Sequence, residues 1–305
     1  MPALIVRTPR NDEFINKFGT YQTHLNMHES RETAVQRQLR RGGLKSYEMD
    51  VQAAFYAFCE IQASRLVVYD IGAHIGLYSA TITSIFRSIN PYVIAFEPSP
   101  RTAVIAKNIR DANGLSYSVV EEAVSSQNGT MKLYISPVAE TSNSLNPSFR
   151  KGDTSIDIPV TTIDQIYEKG TPPPTLVKVD VETLEYAVIL GGLSTLVEHK
   201  PVIIAELLRA SNRELTGAML NALEWIGYEF HRIESSGALK KYPASEVMEN
   251  LSGKYRDWVM TPGEVPPEFE AAFGRWQAAL NECDETTNLL IKPGEDIPED
   301  VLGDW

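Results

Sequence analysis

Apolar and polar positions follow two different rhythms along this chain, and the change of rhythm near residue 66 divides it. Ser30–Arg40 and Tyr47–Ala63 carry apolar residues at helical spacing; in the second, Val51, Ala54, Phe55, Phe58 and Ile61 or Gln62 share one face. Glu32 is a favourable first-turn acid, and Gly42-Gly43 separates the two stretches. After the first few residues nothing before residue 66 gives a strong strand signal, so this segment reads as an N-terminal helical cap. From Leu66 onward short apolar runs alternate with longer helical ones. Strands are expected at Leu66–Ile71, Tyr92–Glu97, Tyr117–Glu121, Thr175–Val181 and Pro201–Leu207. Helices are expected at Tyr78–Ile89, Pro100–Asn113, Leu184–Val197 and Arg213–Trp225. This alternation with short loops predicts an α/β fold, a parallel sheet with helices on both faces. Two short strands, Met131–Ile135 and Ile156–Val160, interrupt it and flank a polar loop, Thr141–Pro147. Late strands are read at Tyr228–Ile233 and Thr287–Lys292, with helices Ser245–Asn250 and Pro267–Asn281 between them.

The sharpest local pattern is Val67-Val68-Tyr69-Asp70-Ile71-Gly72-Ala73-His74-Ile75-Gly76, an apolar run that ends in a glycine turn before a helix. Such a turn lets ligand atoms approach backbone that carries no Cβ, which is how α/β proteins cradle nucleotide-like ligands. Glu97 closes the second strand ~20 residues later, where an acid accepts hydrogen bonds from ribose hydroxyls. Dinucleotide sites carry a third, middle glycine that admits the pyrophosphate. Here His74 occupies that position, so a phosphate-free nucleoside ligand fits better. Asp70 is placed either to accept from an ammonium or to hold the glycine loop. S-adenosylmethionine, with an adenosine, an ammonium and no phosphate, matches these demands. The cofactor-binding set is then Asp70, Gly72, Ala73, Gly76, Glu97, Pro98, Glu122, Ala123 and Asp180, with Glu122 beside the adenine.

A second pattern is Leu176-Val177-Lys178-Val179-Asp180-Val181-Glu182. Strand alternation puts Lys178, Asp180 and Glu182 on one side. Three ionisable groups are costly in a core but suited to a crevice at a strand's carboxyl end. Asp180, Glu182 and His74 are the candidate catalytic groups. Glu206 closes the next strand and should face the same crevice. Ser142, Asn143 and Ser144 lie in the polar loop, which reads either as a solvated hairpin loop or as a lid over the substrate. Asp180 and Glu182 with a third acid could hold a metal, but no His/Cys ligand spacing supports one, and none is expected.

Composition narrows the partners. A net charge of −12 makes the chain a poor match to nucleic acid or to an anionic membrane. No apolar run is long enough to cross a bilayer, and the N-terminus does not read as a signal peptide. Cys59 and Cys283 alone give no disulfide framework, so a cytoplasmic location is expected. From Glu264 to Trp305 eleven acids face two bases, a solvated end or an acidic docking surface. Phe55, Tyr56 and Phe58 suit either a core or a homodimer interface.

Taken in order, Asp70–Ser79, Phe96-Glu97-Pro98-Ser99-Pro100, Val160-Thr161-Thr162-Ile163-Asp164, Val177–Glu182, Leu190-Gly191-Gly192 and Lys200–Glu206 resemble the FkbM family of S-adenosylmethionine-dependent methyltransferases. The resemblance covers roughly residues 66–210. It implies a class I methyltransferase, Rossmann-like fold: seven strands in order 3-2-1-4-5-7-6, the last antiparallel, with Tyr228–Ile233 and Thr287–Lys292 as its reversed hairpin. It also implies O-methylation of a hydroxyl on a sugar or secondary metabolite. The chain then divides into the cap, 1–65, and a methyltransferase domain, 66–305, with a variable insertion at about 234–286. Two positions depart from the family: His74 stands where Asn is common, and Thr183 where Gly follows Glu. Two other readings remain open at this point, a catalytically silent cofactor-binding scaffold and a nicotinamide-dependent oxidoreductase.

Overall fold

A computed structural model describes residues 2–136, 140–149, 154–234, 238–251 and 255–298. The tail acids Glu299, Asp300 and Asp304 lie outside the described residues. The strands are β1 Ala3–Arg7, β2 His24–Glu29, β3 Val67–Ile71, β4 Tyr92–Phe96, β5 Ser118–Val120, β6 Ala123–Val124 and β7 Gly129–Tyr134. They continue with β8 Ser155–Thr161, β9 Leu176–Val179, β10 Val202–Glu206, β11 Tyr228–Ile233, β12 Leu239–Tyr242, β13 Asp257–Pro262 and β14 Leu289–Ile291. Eight of them form the central sheet in order β12-β11-β13-β10-β9-β3-β4-β5. From β10 to β5 every neighbour is parallel, while β13 runs antiparallel to both β10 and β11.

The parallel strands are apolar almost throughout because helices cover both faces. β3, β9 and β10 are buried at every position. Alternation along each strand still sorts the side chains. Val68, Val93, Leu176 and Ile204 enter one core, with the N-terminal segment, Phe86 and Trp276. Tyr69, Ile94, Val177 and Ile203 enter the other, with Val188, Leu220 and Trp258. Chain order reverses between β3 and β9, and the carboxyl ends of the strands open a crevice there.

The late strands differ from the sequence expectation. Leu289–Ile291 pairs with β1, not with Tyr228–Ile233, in a separate sheet of order β14-β1-β2. The reversed strand of the central sheet is β13, whose Trp258-Val259-Met260 core is fully buried. β12 adds an eighth strand at the edge. Residues 234–286 therefore supply two central strands and the helix Phe269–Asn281. Nor is the N-terminal segment helical only. β1 and β2 belong to it, and in β2 Leu25 and Met27 turn inward between polar neighbours. Its helices Ala34–Gly42 and Met49–Ile61 match the periodicity, but a Thr33/Gln36 capping box starts the first at Ala34 and not at Ser30, so Glu32 precedes the helix and is no first-turn acid. Phe55, Tyr56 and Phe58 are fully buried within the chain, which makes them core. The expected helix Leu184–Val197 is two helices, Glu185–Leu190 and Leu193–His199, broken at Gly191-Gly192. A Cβ on Gly191 would lie 2.1 Å from the Ser125 carbonyl oxygen, so close packing explains that break.

The N-terminal segment is joined to the helix Phe269–Asn281 by aromatic packing of Phe14 and Tyr56 on Trp276. One buried acid reinforces the contact. Glu60 accepts from Trp276 Nε1 at 2.8 Å and from Arg275 at 2.7 Å. Removing that carboxylate leaves a buried indole N–H and a guanidinium without their acceptor. Glu60→Ala should cost about 3 kcal/mol in urea unfolding. Glu13→Ala removes an exposed carboxylate 3.3 Å from the same arginine and should cost less than about 1 kcal/mol. Equal losses would show that the Glu60 contact is no stronger than a surface pair.

Candidate functional site

The loops at the carboxyl ends of β3, β4, β9 and β10 enclose a cavity of about 530 Å³. Gly72, His74, Glu97, Pro98 and Ala123 line one part, and Asp180, Glu182 and Glu206 another; Ser142, Asn143 and Ser144 form a wall. Eleven residues expected in the site from sequence are thus brought to one space. Four are not among its lining: Asp70, Ala73, Gly76 and Glu122.

The glycine turn owes its shape to two close approaches. A Cβ on Gly72 would stand 1.8 Å from the Asp180 carbonyl oxygen, so β9 can end beside β3 only if residue 72 is glycine. Gly76, with φ of 73°, packs against Ala106 and the Tyr117 hydroxyl, not the cavity. Asp70 is buried beneath the turn and accepts from the Ser79 N–H at 3.2 Å and the Ser79 hydroxyl at 2.7 Å. Of its two sequence readings, holding the loop is the one its contacts express. His74 adopts φ of 53°. That left-handed position favours Asn and His over most side chains, which accounts for either residue there.

Glu97 meets the cavity with its hydrogen bonds already organised. Oε2 accepts from the His74 N–H at 2.7 Å, and Oε1 from the Ser99 N–H at 2.9 Å and the Thr102 hydroxyl at 2.8 Å. Burial pushes its pKa up to about 7, against those three donors. One lone-pair direction remains beyond the three bonds, since a carboxylate offers about four acceptor sites.

The opposite part is acidic. β9 ends at Val179, and the chain then turns out of the strand: Glu182 has φ of 56° and Thr183 φ of 85°. The alternation read through Glu182 therefore stops at Asp180, and a left-handed loop, not strand geometry, carries Glu182 to the cavity. Buried Glu185 holds this loop by accepting from the N–H groups of Val181 and Thr183. Burial raises the Glu185 pKa to about 8. The Thr183 side chain points away from the cavity and accepts from Asn146 Nδ2 at 2.8 Å. The Ser144 hydroxyl donates to the Glu182 carbonyl at 2.8 Å, so the polar segment is anchored against the site and is not a free hairpin loop.

Three groups at this end carry no advance signal in the sequence. Glu48 precedes the helix Met49–Ile61 at φ of 43°, lines the cavity and accepts from the Tyr78 hydroxyl at 2.9 Å. Burial raises its pKa, with Lys178 opposing. Arg256, just before β13, lies 2.9 Å from Glu206 and 3.7 Å from Glu48. Asp257 follows it, raised to about 7 by burial. Lys178 is buried under the floor, 2.9 Å from Asp180 and 4.7 Å above the Tyr78 ring. Glu206 is raised by burial and by its negative neighbours, against the pull of Arg256. Carboxylate oxygens of Asp180, Glu182 and Glu206 lie within 4.8 Å of one another, a set that could bridge a divalent cation. Arg256 already neutralises one of the three.

A doubly wound α/β protein with its cavity at the switch point is the class these features define. The methyltransferase FkbM domain matches residues 70–230, more than half of the chain, and the chain belongs to that family. No curated protein matches it. Among solved structures it is similar to a methyltransferase FkbM from Methylobacillus flagellatus KT: 18% identity, 65% of this chain, 44% of that chain, TM-score 0.43. Less than half of that relative's length is therefore spanned. A precorrin-6y C5,15-methyltransferase from Geobacter metallireducens matches at 12% identity, 70% and 88% coverage and TM-score 0.40. An O-methyltransferase from Bacillus cereus in complex with SAH matches at 13%, 69% and 79%, with TM-score 0.39.

Thr183 gives a direct test of the loop geometry. A β-branched residue at φ of 85° is strained, and its hydrogen bond to Asn146 offsets part of that strain. Thr183→Ala keeps the strain and loses the bond, whereas Thr183→Gly loses both. The glycine variant should be about 1 kcal/mol more stable than the alanine variant in urea unfolding. Equal stabilities would contradict a strained position.

Proposed function

We propose that this chain is an S-adenosylmethionine-dependent methyltransferase that methylates a hydroxyl of a sugar or secondary metabolite. The observation that carries the reading is the pairing of Glu97 with the Gly72–His74 turn across one end of a cavity whose other end is acidic, in a chain of the FkbM family. Gly72, His74, Glu97, Pro98 and Ala123 line the nucleoside end, with the remaining acceptor site of Glu97 taking a ribose hydroxyl. A pyrophosphate has no second acid-free, glycine-lined approach here, because His74 fills the middle position. Asp180 spans the two ends, Lys178 holding its carboxylate in place.

When bound, S-adenosylmethionine supplies a methyl group on a sulfonium, open to in-line displacement. The protein's task is to align an acceptor oxygen with it and to take a proton. Asp180, Glu182 and Glu206 converge where that oxygen would lie, and each can accept its hydrogen bond. Of the candidate bases, His74 belongs with the nucleoside end, since its backbone N–H donates to Glu97. Asp180 and Glu182 are the better bases, and Ser142–Ser144 with Glu206 form the acceptor wall.

Incubation with labelled S-adenosylmethionine and an extract of the native host should yield one labelled, base-stable ether product. Asp180→Asn should lower its formation by about 10²-fold or more while the protein stays folded. Cofactor binding without any labelled product would favour a silent binding protein. The Glu97 pKa sets a second expectation. Below about 7 the carboxyl is protonated and loses an acceptor site; above it both oxygens accept. Affinity for S-adenosylhomocysteine, measured by calorimetry, should therefore rise between about pH 6 and pH 8. That rise should vanish in Glu97→Gln. A wild-type affinity flat across this range would remove Glu97 from the ribose role.

A further inference from the structure

One charged feature has no part in the reading above. Between Arg31 and Ser46 the chain carries Arg31, Arg37, Arg40, Arg41 and Lys45 against Glu32 alone, in a protein of net charge −12. The helix Ala34–Gly42 sets Ala34, Arg37, Gln38 and Arg41 on one face by its i, i+3, i+4, i+7 spacing. That face, with Gly42 and Ser46, lines a groove of about 380 Å³. Ala34 and Gln38 line both this groove and the main cavity, so the two adjoin. Arg37 is half-buried, with Nη1 donating to the Arg31 carbonyl at 3.1 Å, which steadies its position; Arg41 is exposed.

The polarity of the two spaces is opposite. The cavity is lined by Glu48, Glu97, Asp180, Glu182 and Glu206 against Arg209 and Arg256. Arg256 is paired with Glu206 and Glu48 and Arg209 donates to the Leu251 carbonyl, so the acids prevail and would repel an anion there. The adjoining groove presents two guanidiniums, whose planar forks suit phosphate oxygens. It runs along the side of its helix from Ala34 to Gly42, not at the N-terminal end where the dipole would favour an anion, so the guanidiniums must carry the recognition.

We propose that Arg37 and Arg41 form a phosphate subsite, and that the acceptor is a polyol bearing a phosphate ester at the end remote from the methylated hydroxyl. This rests on the methyl-transfer reading, which places the acceptor hydroxyl at the acidic floor. The charge gradient then fixes the acceptor's direction: neutral hydroxyls inward to the carboxylates, phosphate outward to the arginines. A sugar phosphate and a nucleotide sugar share this chemistry.

Calorimetry on the full chain saturated with S-adenosylhomocysteine tests it, with glucose, glucose 1-phosphate and UDP-glucose as probes. Glucose 1-phosphate should bind about 10- to 100-fold more tightly than glucose. Arg37→Gln/Arg41→Gln should abolish that preference while leaving S-adenosylhomocysteine affinity and the circular dichroism spectrum unchanged. Raising salt from about 50 mM to about 500 mM should shrink it in the wild type. UDP-glucose binding more tightly than glucose 1-phosphate points to a nucleotide sugar, and equal binding to a simple phosphate ester; either supports the subsite. Phosphate ester and glucose binding equally, neither binding, or a preference that survives the double substitution overturns it. If S-adenosylhomocysteine itself fails to bind, the methyltransferase reading falls first; if it binds and the phosphate gives no advantage, only the subsite falls.

Discussion

Lys178 is the interaction on which the rest of the site depends. Four carboxylates gather around the carboxyl ends of β9 and β10, and a fifth, Asp70, is buried beneath the glycine turn. So many acids in a poorly hydrated space repel one another and lose hydration. Lys178 answers both penalties from below the floor. Its ammonium bonds Asp180, lies over the Tyr78 ring, and is within electrostatic reach of Glu48 and Asp70. Tyr78 in turn donates to Glu48. A single buried cation thus connects the switch-point strands, the helix after the glycine turn and the N-terminal segment. Breaking such a buried pair leaves uncompensated charge, a loss of about 3–5 kcal/mol in comparable cases. Arg256 performs a similar duty at the solvent side, joining Glu206 to Glu48.

This arrangement explains why the N-terminal segment belongs to the site. Tyr47 and Glu48 close the cavity from across the sheet, and Ala34, Val35 and Gln38 shape its rim. Trp276 and Glu60 fasten the same segment to the C-terminal helix. Tyr47, Glu48 and Arg256, outside the stretch that resembles the family, therefore complete the acidic part of the cavity, whose Asp180, Glu182 and Glu206 come from within it.

The legible part of the sequence was the part governed by local rules. Apolar runs of strand length, the glycine turn, Pro100 after Ser99 and the acid at the end of β4 each follow from short-range sterics or burial. They located β3, β4, β9 and β10 and eleven of the residues that line the cavity. What escaped depends on pairing at a distance. Nothing local distinguishes Leu289–Ile291 from an additional central strand; its partner β1 lies at the other end of the chain. Trp258-Val259-Met260 is a sound strand signal, but it lies in a region without family likeness. Glu48 fell within the expected helix Tyr47–Ala63 and carried no signal of its own. Its place in the cavity follows only from the packing of that helix against the strand ends. The period-two reading of Val177–Glu182 failed at one residue because a left-handed turn, supported by Glu185, replaces the strand after Val179. The Thr33-x-x-Gln36 capping box fixes the true start of its helix at Ala34, where the periodicity alone had placed it at Ser30.

The central claim is that one cavity holds an adenosine-type cofactor at its glycine-turn end and presents acids to the acceptor at the other. A crystal structure of the complex with S-adenosylhomocysteine tests it most directly. The account predicts a ribose hydroxyl on Glu97, the ligand backbone along Gly72–His74, and the sulfur directed toward Asp180. A ligand bound elsewhere, or with its ribose away from Glu97 and its sulfur away from the acidic floor, would contradict it.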